Sequence, residues 1–227
     1  MSARGVEILA EGVAVRGPAG VVVGGVDLDV RPGSLSVLAG PAGSGRTALL
    51  LALGARFAFS RGRIAVDGTP LPRGAKEARR RIAVARAAPA VELEDLLTVG
   101  ELVGERRAIG GPRVSDESLA DAFDLVDLPY TPHTLTRELS RVEQLLLALA
   151  LAAAERPRGV LVDDVDDGIA GTDLERAWYA VRALAQSGPT VVATATAPPP
   201  PGPAGADLVL VLPGHEAHAR ARKGGSR

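Results

Sequence analysis

Residues 40–47 read Gly40-Pro41-Ala42-Gly43-Ser44-Gly45-Arg46-Thr47, and the interpretation of the whole chain starts from this stretch. Its glycines let the backbone turn tightly and bring N–H groups close to an anion without Cβ clashes. Residues 34–39 before it are typical of a short buried strand, and an apolar helix start follows it. A plain flexible turn is the alternative in a chain with 27 glycines. The flanking strand and helix favour a phosphate-binding loop, because a helix N-terminus attracts negative charge.

This interpretation makes all eight residues, from Gly40 to Thr47, candidate nucleotide contacts. The Thr47 hydroxyl is in addition the predicted Mg²⁺ ligand. Arg46 stands where the motif normally carries a lysine, and its planar fork is bulkier than an ammonium group. Only Lys76 and Lys223 are lysines among the 26 basic residues, so compositional drift is a second explanation for Arg46. We expect Arg46 to permit nucleotide binding and to slow turnover.

The composition is that of a globular protein of one domain, with 46% hydrophobic and 23% charged residues in 227. A net charge of −1 gives no electrostatic reason to expect a nucleic-acid partner. The absence of cysteine excludes disulfides and cysteine metal sites. The longest apolar run, residues 145–154, is about half of what a membrane span needs, and the first residues do not resemble a signal peptide. These features predict a cytoplasmic protein.

Alternation of strand-like and helix-like segments predicts an α/β fold. Residues 116–126 after Ser115, residues 141–154, and residues 173–186 after Thr172 are the clearest helices, with a capping residue at each of the first and last. The predicted strands cover residues 6–9, 13–16, 21–23, 26–30, 34–39, 62–68, 81–85, 160–162, 190–194 and 208–212. Residues 89–138 are more charged and predict an inserted helical lobe.

A second candidate site follows the apolar strand at residues 160–162, which ends in Asp163 and Asp164. In a protein with a phosphate-binding loop, we expect such a strand to lie beside the loop strand. Asp163 is then predicted to hold Mg²⁺ through water, and Asp164 to polarise the attacking water. The alternative is a solvated run of acids at a strand end. A calcium loop is disfavoured because Leu174 stands where its bidentate acid would be needed.

With both sites placed, the order of motifs resembles the ATP-binding cassette (ABC) ATPase domain from about Val6 to Leu212. Further matching phrases are Gly33-Ser34, Ser60-Arg61-Gly62 with Asp67-Gly68, and residues 97–101. Residues 139–144 (Leu-Ser-Arg-Val-Glu-Gln) fall where the family signature Leu-Ser-Gly-Gly-Gln belongs, which makes Ser140 a candidate phosphate contact. Ser140 and Glu143 also form a capping-box pattern, so a well-capped core helix explains them equally well.

The resemblance implies a P-loop NTPase fold with a mixed central sheet, an N-terminal antiparallel β-subdomain and an inserted helical lobe at about residues 89–158. It implies one nucleotide-binding domain over residues 1–212, followed by a basic tail at 213–227 that we expect to be disordered. It also implies ATP and Mg²⁺ as ligands, and a membrane-spanning transporter subunit as partner. A homodimer, or a heterodimer with another ABC subunit, is implied as well, peripheral at the inner face of the cell membrane.

The departures from the family pattern concern the catalytic positions. No aromatic residue occurs in residues 1–56 to stack on adenine, and Ala87 stands near the position of the family glutamine. Arg141 and Val142 replace the signature glycines, and the β-branched Val142 is expected to restrict a close approach to phosphate. The remaining departures are Asp164 in place of a glutamate base, Ala170 in place of an aspartate, and Thr196 near the position of the switch histidine.

These departures lead to three hypotheses. The first is an ATP-binding transport subunit with weak or absent hydrolysis. The second is an ordinary transport ATPase that tolerates the altered residues. The third is a non-enzymatic pseudo-ATPase with a structural or regulatory role.

Overall fold

Two β-sheets and six α-helices make up the part of the chain that the computed structural model describes, residues 5–17 and 20–214. The strands are β1 (Ile8–Gly17), β2 (Gly20–Val30), β3 (Leu35–Ala39), β4 (Arg61–Val66), β5 (Thr69–Pro70), β6 (Ile82–Arg86), β7 (Gly159–Val162), β8 (Thr190–Ala195) and β9 (Leu208–Val211). The helices are α1 (Arg46–Leu53), α2 (Ala75–Arg81), α3 (Val99–Gly110), α4 (Asp116–Leu125), α5 (Arg141–Ala153) and α6 (Gly171–Gln186).

The strands separate by direction. An antiparallel sheet has the order β2-β1-β4-β5, and a second sheet has the order β6-β7-β8-β3-β9 with every described pair parallel. The expected α/β class with an N-terminal antiparallel subdomain is confirmed. The two strand directions expected within one central sheet occur in separate sheets, because every described pair of the second sheet is parallel. Parallel strands need long crossovers, which the helices supply. The expectation that the strand before Asp163 lies directly beside the loop strand is wrong, because β8 lies between β7 and β3. The order β7-β8-β3 still brings three strand ends together at one edge of the second sheet.

Strand β1 shows why the N-terminal strands looked fragmented in the sequence. It pairs with both β2 and β4, and its register shifts between Ala10 and Val13. Gly12 lies in that interval with φ +57°, a left-handed conformation typical of a bulge. A bulge interrupts the two-residue alternation, so one long strand was predicted as two short ones.

Helix α5 packs against the parallel sheet on one side and against α4 and α6 on the other. Nine of its residues are buried, among them Leu146 at 0% exposure. Helices α3 and α4 pack Leu102 and Phe123 into the same core, and Trp178 of α6 joins them. No strand of either sheet lies in residues 89–158, and we propose these bounds for the helical lobe. On the other face of the parallel sheet, α1 and the antiparallel sheet form a second core.

Two of the predicted capping residues are confirmed and one is wrong. Ser115 and Ser140 each accept a hydrogen bond at the start of their helices. Thr172, the predicted cap of the last helix, lies inside α6, which begins at Gly171 after an extended Ala170. Asp173 in the first turn still offsets the helix dipole. The predicted tail lies, from residue 215 onward, outside the described residues.

Replacing Leu146 by alanine tests the assignment of α5 to the core. We expect a loss of about 2–5 kcal/mol in the free energy of unfolding, because the cavity would be only partly refilled. The same change at Leu96, which is 65% exposed, is expected to shift it by no more than about 0.5 kcal/mol. Denaturant unfolding of both variants measures the difference, and equal losses would contradict the assignment.

Candidate functional site

The loop at residues 40–47 connects β3 to α1 at the edge where three parallel strands end. The Gly40 N–H donates to the Ala195 carbonyl oxygen at the end of β8 (3.1 Å), which ties the loop to the sheet. Gly45 has φ +87°, and a Cβ placed on it would lie 2.3 Å from Val23 Cγ2. Both the backbone conformation and the space therefore require glycine there. The antiparallel sheet thus packs directly against the loop.

Two observations indicate that the loop could bind a phosphate group. The hydroxyl of Ser44 is buried and has no hydrogen-bond partner, although buried polar groups are normally satisfied. Helix α1 starts at the loop without a side-chain cap, so its first N–H groups lack that partner too. A bound phosphate oxygen would satisfy both. Pro41, Ala42 and Gly43 are exposed at the rim, and nothing lies within 4 Å of a Cβ built on Gly43.

The guanidinium group of Arg46 is hydrogen-bonded to groups of the protein itself. Its side chain is 8% exposed. Its Nη1 donates to the carbonyl oxygens of Gly40 and, at 3.0 Å, Ala195, and its Nη2 donates to Asp164 Oδ1 at 2.6 Å. The sequence predicted a cation directed at a ligand. The longer fork of arginine instead reaches the strand ends beside the loop.

Thr47 and Asp163 are brought together, as a shared Mg²⁺ site requires. Asp163 is 2% exposed, and burial raises the pKa of its carboxyl group, opposed by hydrogen bonds from the Thr194 and Thr47 side chains. Thr194 Oγ1 donates to Asp163 Oδ1 at 2.6 Å. A threonine hydroxyl and a carboxylate are oxygen ligands of the kind that Mg²⁺ accepts, with water and phosphate completing the shell. The described residues hold no group of three acidic, histidine or cysteine side chains that could bind a metal alone.

Asp164 lies next to this pair in a constrained conformation. Its φ is +46°, which is uncommon for a residue with a side chain. Its N–H donates to Thr194 Oγ1 at 2.7 Å, and its carboxylate accepts from Arg46. The side chain is 37% exposed, so solvent reaches it. The structure therefore places the predicted base at the site but engages it in an ion pair.

Thr194 is the residue that sequence reasoning missed. It contacts both aspartates, although it lies about thirty residues further along the chain. It ends the apolar part of β8, and β8 pairs with β7. A polar residue at the end of an apolar strand was the available signal. Only the strand order shows which other strand end it meets.

The loop after β7 is fixed to the neighbouring strands by two further carboxylates. Asp166 accepts from the Thr196 backbone N–H at 2.8 Å and also from the Thr196 hydroxyl. Asp167 pairs with Arg86 Nη2 at the end of β6, at 2.6 Å. The sequence offered only one interpretation of Asp166 and Asp167, as part of a solvated run of acids at a strand end. They are structural ties between strand ends.

The Ser140 side chain caps the N-terminus of its own helix, α5. Its hydroxyl donates to the Glu143 carboxylate (2.7 Å) and accepts from the Glu143 N–H (3.3 Å). No hydrogen bond in the described part of the chain links Ser140 to residues 40–47. Val142 is 3% exposed and fills the core, so the side chain presented to solvent at this turn is Arg141. The Arg141 stem packs beside Gly168 of the loop after β7.

Comparison with known proteins gives a consistent result. The model of the ABC transporter family matches residues 23–166, more than half of the chain. A ribose import ATP-binding protein of Rubrobacter xylanophilus is 29% identical over 80% of this chain and 38% of its own length. An Fe(3+) ions import ATP-binding protein of Mesorhizobium japonicum is 36% identical over 62% and 39%. An uncharacterised ABC transporter ATP-binding protein of Mycobacterium bovis is 34% identical over 82% and 57%. The chain thus spans about two fifths of the length of the first two.

Solved structures agree on the fold. A dimeric bacterial ABC transporter cassette superposes with a TM-score of 0.72 at 19% identity, over 91% of this chain and 94% of that chain. A component of an ABC transporter complex from Clostridium perfringens has a TM-score of 0.73 at 17% identity, over 95% and 91%. The loop between β3 and α1, the strand that ends in Asp163 and the match over residues 23–166 lead to one conclusion: the chain belongs to the ABC transporter ATPase family.

Proposed function

We propose that this chain is the ATP-binding subunit of an ABC-type transport system, and that it binds Mg-ATP but hydrolyses it slowly. One observation carries the proposal. The buried Ser44 hydroxyl in the loop has no hydrogen-bond partner and could bind a phosphate oxygen. In contrast, the cation of the loop, Arg46, and the candidate base, Asp164, are bonded to each other. We therefore expect the protein to bind Mg-ATP but to hydrolyse it slowly.

The groups proposed to bind Mg-ATP are ones that the Arg46–Asp164 ion pair does not use. The loop backbone and the Ser44 hydroxyl would receive the phosphates, and Thr47 with Asp163 would hold Mg²⁺. Bound Mg²⁺ would neutralise part of the phosphate charge. Residues 40–47 all belong to this proposed site, with Pro41, Ala42 and Gly43 at its open rim.

Slow hydrolysis follows from the state of the catalytic positions. The Asp164 carboxylate accepts from Arg46, and Thr196, which has no imidazole, is bonded to Asp166. A misplaced general base costs about 10²–10⁴ in rate. A lost charge stabiliser costs about 10²–10³, and the two effects are not additive within one site.

The partners are inferred from relatives. The ribose and iron relatives are named import ATP-binding proteins, and one structural neighbour is a dimeric cassette. None of the described helices could cross a membrane. We propose that the chain pairs with itself or with another ABC subunit and docks on a separate membrane-spanning subunit at the inner face of the cell membrane. A net charge of −1 supports no role for nucleic acid.

A pseudo-ATPase that binds no nucleotide is the second candidate. The observation in its favour is that Arg46, the only cation within the loop, is already neutralised by Asp164. The two candidates differ in one property, which is whether the loop binds nucleotide at all.

Binding of Mg-ATP is tested by thermal denaturation of the purified protein. At 100 times the dissociation constant, a ligand that binds only the folded state adds about 2.7 kcal/mol, so the melting temperature is expected to rise. Gly45→Ala is expected to abolish this rise, because its Cβ would collide with Val23. Gly104→Ala is the matched control, since nothing lies within 4 Å of a Cβ built there. Absence of any rise in the unaltered protein would favour the pseudo-ATPase.

Steady-state phosphate release tests the second half of the proposal. We expect a turnover well below the ~1 s⁻¹ at the lower end of common enzymes. Arg46→Lys is expected to raise it by about tenfold or more, because a single ammonium lacks the fork that reaches Asp164 and both carbonyl oxygens. Thr47→Ala, which removes the proposed Mg²⁺ ligand, is the inactive control. If the unaltered protein hydrolyses ATP rapidly and Asp164→Asn abolishes this activity, the chain is an ordinary transport ATPase instead.

A further inference from the structure

We infer that Asp164 competes with the phosphates of a bound nucleotide for Arg46, and so lowers the affinity of the loop for its ligand. The inference rests on the proposed function, since it concerns the same loop. It assigns Asp164 a role in binding that is separate from any role as a base.

The Arg46 guanidinium is buried beside the loop. At 8% exposure it has little water around it, so its charge requires a partner within the protein. Two carbonyl oxygens and the Asp164 carboxylate accept its hydrogen bonds, and only the carboxylate carries charge. A phosphate that approaches Arg46 would therefore meet a guanidinium whose charge is already paired with Asp164.

Asp164 is held in position by its neighbours. Its backbone N–H donates a hydrogen bond to the Thr194 hydroxyl, which in turn donates one to the Asp163 carboxylate. The left-handed φ of +46° persists because these contacts impose it. The carboxylate is thus directed at Arg46 before any ligand arrives. Its 37% exposure leaves an open side from which phosphate oxygens can reach the pair.

The Arg46–Asp164 pair differs from the exposed ion pairs of this chain. Arg156 and Asp121 also form a pair, but their side chains are 58% and 67% exposed. Such pairs are screened by water and contribute little. The Arg46–Asp164 pair has one buried member and two supporting carbonyl bonds, so exchanging its anion has a measurable effect on ligand affinity.

A double-mutant cycle with ADP tests the competition directly. The four proteins are the unaltered chain, Arg46→Gln, Asp164→Asn and the double variant, and titration calorimetry with Mg²⁺ and ADP gives each dissociation constant. Because ADP is a product, hydrolysis does not affect the readout. We expect Asp164→Asn to tighten ADP binding by about tenfold or more when Arg46 is present, and by less than about threefold in the Arg46→Gln background.

Two measurements separate this result from trivial causes. Asp167→Asn removes a negative charge from the same loop, where it pairs with Arg86, and is expected to change ADP affinity by less than about threefold. Asp164→Asn should also lower the melting temperature of the ligand-free protein and increase the shift on adding ADP, because the buried guanidinium loses its anion. Asp164→Ser replaces it in the cycle if the asparagine variant does not fold.

The outcomes are distinct. Equal tightening in both Arg46 backgrounds would mean that Asp164 only repels the ligand, and would overturn the competition while leaving the proposed function intact. A failure of all four proteins to bind ADP, including the unaltered chain, would overturn both.

Discussion

The buried guanidinium of Arg46 connects the ends of three neighbouring parallel strands. It donates to Gly40 after β3, to Ala195 at the end of β8 and to Asp164 after β7. The sheet order β7-β8-β3 makes this contact possible, since the carboxyl ends of adjacent parallel strands meet at one edge. The proposed division between binding and hydrolysis depends on this one side chain.

A lysine in this position would act as a compact cation with a rotatable ammonium group. Arginine has a longer reach and a planar set of donors, so it satisfies several acceptors at once. In this chain those acceptors are protein groups. The substitution therefore keeps the charge of the loop but changes what the charge is bonded to. Thr47, Ser44 and Asp163 do not take part in those bonds, so the ion pair leaves the proposed phosphate and Mg²⁺ ligands available.

Local sequence patterns predicted the parts of the structure that depend on local contacts. The loop flanked by strand and helix, and the capping box of Ser140 with Glu143, were both expected from residues close together in the chain. The contacts of Thr194 were not predictable, because they require knowing that β8 lies beside β7. The ion pair of Arg46 with Asp164 was missed for the same reason, since 118 residues separate them. Family resemblance predicted roles for Arg46 and Asp164 but not the direction in which the arginine side chain extends.

A crystal structure with Mg²⁺ and a non-hydrolysable ATP analogue tests the central claim most directly. The account predicts that the triphosphate lies on the loop at residues 40–47, with Mg²⁺ near Thr47 and Asp163. It also predicts that an Arg46 guanidinium nitrogen moves from Asp164 to within about 3 Å of a phosphate oxygen. A bound nucleotide with the Arg46–Asp164 pair unchanged would contradict the competition, and the absence of nucleotide from saturated crystals would contradict the proposed function.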